Sequence, residues 1–87
     1  MQNHWIVDLT FEEDESRTTC TAQLSGFSAP GAQGTGMARR NPIDDSDSVI
    51  GEELAAARAC HDLAHKLAGQ AETGIESHTH NPAHLPL

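Results

Sequence analysis

Residues 48–70, SVIGEELAAARACHDLAHKLAGQ, carry the one long apolar periodicity in the chain. Ile50, Ala57, Cys60, Ala64, Leu67 and Ala71 recur at three- and four-residue steps, and Ala56 and Leu63 widen the stripe. Arg58, Asp62, His65 and Lys66 fall on the opposite side. The stretch predicts an amphipathic helix over about 49–70. Ser48 is placed to cap its first turn, Glu52 and Glu53 put negative charge toward the positive end of the helix dipole, and His65 and Lys66 lie toward the other end. Gly69 or Gly74 supplies the expected stop.

Upstream, the period changes from helical to alternating. Trp5, Val7, Leu9 and Phe11 interleave with His4, Asp8, Thr10 and Glu12, and Thr18, Cys20, Ala22 and Leu24 interleave with Arg17, Thr19, Thr21 and Gln23. With the polar tip from Glu12 to Ser16 between them, the two runs predict a hairpin with strands at about 4–12 and 16–24. A Gly-, Ser-, Ala- and Pro-rich loop follows, and a third strand is expected at about 34–40, ended by Asn41-Pro42. Gly34-Thr35-Gly36 has the look of a phosphate-loop fragment but lacks the third glycine, the lysine and the following helix; the alternative is a strand lying close beneath the helix. Asp44, Asp45 and Asp47 mimic part of a calcium loop without its glycine and closing glutamate, and read as a solvated linker. The tail from Ile75 to Leu87 contains prolines that exclude a long helix. The whole is an α+β domain: a three-stranded antiparallel sheet packed on one long C-terminal helix, then a short tail.

Thirteen carboxylates against five Lys and Arg give a formal charge of −8, a field that repels nucleic-acid phosphate. DNA is therefore excluded as a partner and naked RNA disfavoured. The sequence holds neither a membrane-spanning run nor a secretory leader, so a cytoplasmic protein is expected. Cys20 and Cys60 read as buried reduced thiols. An 87-residue chain whose apolar fraction of 37% is dominated by alanine buries little area, and a homodimer is the expected source of the missing burial.

Three motifs in order, Gly34-Thr35-Gly36-Met37-Ala38-Arg39-Arg40-Asn41-Pro42 with Asp44, Ile50-Gly51-Glu52-Glu53-Leu54-Ala55-Ala56-Ala57-Arg58-Ala59, and Ile75-Glu76 with Thr79-His80-Asn81-Pro82-Ala83, resemble a known family. It is a small actinobacterial domain-of-unknown-function family with a double-stranded-RNA-binding-domain-like (dsRBD-like) fold, and the likeness runs from about Trp5 to Leu85. The resemblance implies the same sheet-and-helix fold, a dimer and no established enzyme activity. Some relatives are induced in dormancy and have been likened in structure to ribosome hibernation-promoting factors, so ribosome association is the most concrete function it implies. No catalytic, cofactor or ligand residue can be carried over from it.

The candidate constellations are sparse. A ribosome or protein partner would be met by Arg39, Arg40, Arg58 and Lys66; the opposing reading makes these cations solvated or paired with the chain's own carboxylates. His61 and His65, four apart beside Asp62, have the spacing of a helical zinc site, and His78, His80 and His84 could add to it, which leaves a small metal- or ligand-binding protein as the alternative function. An exposed polar face explains the same two histidines. No catalytic residue and no cofactor is assigned. The expected core sets Trp5, Val7, Leu9, Phe11 and Leu24 against Leu54, Ala57, Leu63, Ala64 and Leu67.

Overall fold

A computed structural model of the chain describes residues 1–39 and 48–86. Three strands, β1 (Trp5–Glu13), β2 (Arg17–Gly26) and β3 (Gln33–Arg39), precede one helix, α1 (Ser48–Thr79). The strands form an antiparallel meander in the order β1-β2-β3. Arg40, the acidic linker Asp44 to Asp47 and the expected capping contacts of the Ser48 side chain lie outside the described residues.

The hairpin closes where its polar tip requires. Asp14 Oδ1 accepts from the backbone N–H groups of Ser16 and Arg17, each at 2.8 Å, and the Asp14 N–H donates to the Arg17 carbonyl. Those donors, led by the Ser16 amide, hold the Asp14 carboxyl below its ordinary range. The register sets Val7 beside Leu24, Leu9 beside Ala22 and Phe11 beside Cys20, and on the other side Cys20 beside Gly36 and Ala22 beside Gly34. Residues directly opposite share a face. One face therefore carries Trp5, Val7, Leu9 and Phe11, then Thr18, Cys20, Ala22 and Leu24, then Gly34, Gly36 and Ala38.

The helix sits on that face, but over β2 and β3 only. Gly34 and Gly36 form its seat: a Cβ on Gly34 would collide with the Ala59 carbonyl oxygen, and one on Gly36 with the Ala59 nitrogen and the Ala55 carbonyl oxygen. The close-approach reading of these glycines holds, and a phosphate cradle has no room there. Such contact admits only small residues on the facing helix ridge, so Ala55 and Ala59 are fully buried with Leu63 one turn on. Cys20, Ala22, Leu24, Ala32 and Ala38 complete the core, with Phe11, Ala29, Ala56 and Leu67 packed at its margin.

This corrects the expected core. Leu24 and Leu63 are inside, and Phe11 and Leu67 are half-buried, but Trp5, Val7, Leu9, Leu54, Ala57 and Ala64 are exposed. The helix is rotated from the stripe that periodicity selects: the glycine seat prefers the alanine ridge, and Ile50, Ala57, Cys60, Ala64 and Ala71 are left at the surface. Cys20 is buried as expected, whereas Cys60 is not.

The helix also outruns its expected end. Gly69 and Gly74 lie within it, where a side chain would meet open space, and Thr73 returns its hydroxyl to the Gly69 carbonyl at 3.0 Å. Termination comes at His80, whose φ of 59° and N–H bond to the Glu76 carbonyl make the left-handed cap, just before Asn81-Pro82. The tail then turns back along α1, with the amides of Ala83 and Leu85 donating to the side chains of Glu76 and Glu72. At 1.5 Å per residue the 32-residue helix is about 48 Å long and extends well past a sheet whose β3 has seven residues.

Candidate interaction surfaces

The helix row Arg58, Asp62 and Lys66, read from the sequence as an outward face, instead hangs over the free edge of β3. Arg58 donates to the Met37 carbonyl at 2.6 Å, Asp62 accepts from the Thr35 N–H at 2.9 Å and Lys66 donates to the Gln33 carbonyl at 2.7 Å. The match is geometric: four helical residues rise about 6 Å and two strand residues about 6.6 Å, so 58, 62 and 66 meet 37, 35 and 33 in reverse order. The Thr35 amide first, and then the Lys66 ammonium at 3.2 Å, hold the Asp62 carboxyl below its ordinary range. An edge strand left bare would recruit another chain; here side chains bind three of its backbone groups, the Gln33 and Met37 carbonyls and the Thr35 amide. Sequence reasoning missed this clasp because i+4 spacing of mixed charges reads equally well as a solvated face.

The four candidate partner cations are therefore divided. Arg58 and Lys66 are committed to β3, Arg39 ends that strand at the surface, and Arg40 is outside the described residues. Arg17 lies across from Arg39 in the register and is paired with Asp14 at 3.8 Å.

His61 and His65 are exposed and stack with ring centroids 6.2 Å apart. Asp62, between them in sequence, points to β3, and among the described residues no third His, Cys, Asp or Glu joins them in a group able to hold a metal. His78 and His80 are exposed on the far turn of the helix and at its cap, while His84 Nδ1 lies 3.8 Å from Glu72. His80 acts through its backbone.

Another open feature is apolar. Among the described residues nothing covers the first half of β1: Trp5 is 49%, Val7 44% and Leu9 40% exposed, in a row on the same sheet face as the helix. Trp5 is fixed by its indole N–H on the Phe27 carbonyl, which also accepts from the Asn3 amide. A second apolar strip runs along the outward side of α1, where Ile50, Leu54, Ala57, Ala64, Ala68, Ala71 and Ile75 fall at heptad-like spacing with His61 as the polar interruption. Ile50 is 58% exposed and Leu54 and Ile75 are also open. Among the described residues no helix is long and apolar enough to cross a membrane.

Comparison with known proteins places the chain. A protein of Mycobacterium tuberculosis strain CDC 1551, the uncharacterized protein MT1780, is 39% identical over 82 residues, covering 94% of this chain and 86% of its own length. The uncharacterized protein Rv2632c of strain H37Rv is 41% identical over 76 residues, covering 87% and 81%. The crystal structure of Rv2632c superposes with a TM-score of 0.83 at 38% identity, over 94% of this chain and 96% of that one. With the family model described as Rv2632c-like matching residues 3–84 as well, the chain belongs to the Rv2632c-like family.

Proposed function

We propose that the protein is a non-enzymatic interaction module of the dormancy or stress-response type that works as a homodimer, with the bare β1 row at the subunit interface. The observation that carries this reading is the pair of exposed apolar surfaces, one recessed beside the helix and one on its back. The two fit each other. The helix back points away from its own sheet, so a two-fold rotation that brings two copies face to face lays the Ile50 and Leu54 end of the strip of each onto the Trp5, Val7 and Leu9 row of the other. Two sheets would then enclose two helices in one layer, and an interface of this kind is isologous by construction. Contiguous exposed apolar surface on so small a chain is a cost that burial in a partner removes.

Trp5 is the single tryptophan and reports on the row directly. Its emission is expected to shift to the red, toward that of a solvated indole, when Leu54→Glu is introduced, with circular dichroism unchanged; an emission that Leu54→Glu leaves untouched would contradict the arrangement.

Ribosome association is the partner that the family resemblance suggests. Arg39, Arg40, Arg58 and Lys66 would supply its electrostatics, and because Arg58 and Lys66 are partly spent on β3, few phosphate contacts remain. Co-sedimentation with ribosomes should accordingly weaken only slightly between low and moderate salt, and plain duplex RNA should not bind. Tight, salt-sensitive binding to naked duplex RNA would contradict it.

A further inference from the structure

The chain's two cysteines lie on facing elements. Cys20 is fully buried on the helix-facing side of β2, between Phe11 on one neighbouring strand and Gly36 on the other. Gly36 is where the helix backbone at Ala55 and Ala59 rests, so Cys60 begins one residue beyond atoms in contact with Cys20's cross-strand partner. Its side chain lies on the flank of α1 away from the clasp on β3. It continues the ridge of Ala56, itself packed against the cluster that contains Cys20, and it is exposed. Burial first, and then the neighbouring Cys60, pushes the Cys20 thiol up from its ordinary value. One thiol is thus open to solvent while the other is sheltered.

We propose that Cys60 and Cys20 form a hydroperoxide-responsive pair that closes into an intramolecular disulfide and pins α1 to β2. The Cys60 thiolate attacks the terminal oxygen of a hydroperoxide; an S–O bond forms, the O–O bond breaks, and the departing oxygen takes a proton and leaves as an alcohol or water. Cys20 then gives up its proton and attacks the Cys60 sulfur. The S–S bond forms, the S–O bond breaks, and the hydroxide leaves with that proton as water. Both sulfurs are oxidised to the disulfide and one hydroperoxide is reduced. The buried thiol suits the resolving role, because burial keeps the hydroperoxide from it while Cys60 is open to solvent. The cross-link spans a long sequence loop and so restricts the unfolded chain strongly.

The test is intact-mass analysis of the full chain after stoichiometric hydrogen peroxide. The expected product has lost two hydrogens, has no thiol titratable after denaturation, migrates as a single chain without reductant and melts at a higher temperature; reductant reverses all four. Cys60→Ser, a surface change, should leave Cys20 reduced under the same treatment, and Cys20→Ala should leave Cys60 to gain oxygen. Wild-type protein that instead gains oxygen atoms at Cys60 with Cys20 still reduced, or that becomes covalently linked between chains through Cys60, would overturn the proposal. Neither outcome bears on the homodimer, which the peptide chain forms or does not form without oxidation.

Discussion

Thr18 is buried, lying under Gly51 at the start of the helix, and among the described residues its hydroxyl has no partner. A buried hydroxyl with no partner costs roughly 1–3 kcal/mol of desolvation, so Thr18→Val, which keeps the shape and removes the orphan, should stabilise the fold by about 1 kcal/mol. A lowered denaturation midpoint for that variant would mean that the hydroxyl has a partner in solution. His80 makes the opposite kind of local argument. A side chain at φ 59° is strained where glycine is not, and His80→Gly should add about 0.5–1 kcal/mol, read in the same denaturation experiment. The sequence singles out His80 through its Thr-His-Asn-Pro setting, yet its role could not be read from residue type because it is a backbone conformation.

At the scale of elements, the helix–sheet contact depends on what is missing from Gly34 and Gly36. Gly36→Ala puts a methyl group into the helix backbone at Ala55 and Ala59, which cannot give way as a flexible side chain would, and a loss of more than about 3 kcal/mol is expected. Leu63→Ala should cost about 2–4 kcal/mol and Leu67→Ala distinctly less, since Leu63 is inside and Leu67 at the margin. The clasp on β3 adds a pH dependence. Because the Asp62 carboxyl is held below its ordinary value in the folded chain, its contribution is fully present above the unfolded aspartate pKa of about 3.9 and is lost as pH falls through the lower folded value. Asp62→Asn should flatten the acid limb of the stability profile below about pH 4; an unchanged limb would mean that the Thr35 contact is not kept in solution.

The strands were legible because alternation and turn chemistry agree, and all three lie within two residues of their expected ends. The helix was legible in kind but not in orientation. Its two candidate ridges are both alanine-rich, and apolar content alone favours the one with Ile50 and Leu67. What decides is steric: two glycines on β3 admit the backbone only where Ala55 and Ala59 face them. Gly69 and Gly74 misled for a similar reason, being tolerated in an open stretch of helix that the returning tail supports through Glu72 and Glu76.

For the whole molecule, that rotation of the helix has a consequence. The periodic stripe that an isolated helix would bury is turned outward, while among the described residues the Trp5, Val7 and Leu9 row is left without a cover, so one chain exposes both halves of the proposed contact. A charge of −8 repels a phosphate backbone, and two of the chain's five basic side chains are bound to the edge of β3, so the proposed contact is an apolar one. The candidate cations were visible in the sequence, but their use was not, because mixed charge at helical spacing does not say what it faces. Sedimentation equilibrium on the wild-type chain and on Val7→Asp tests the arrangement most directly. A dimer for the wild type and a folded monomer for Val7→Asp is the expected result; a wild-type chain that stays strictly monomeric at high concentration would contradict it.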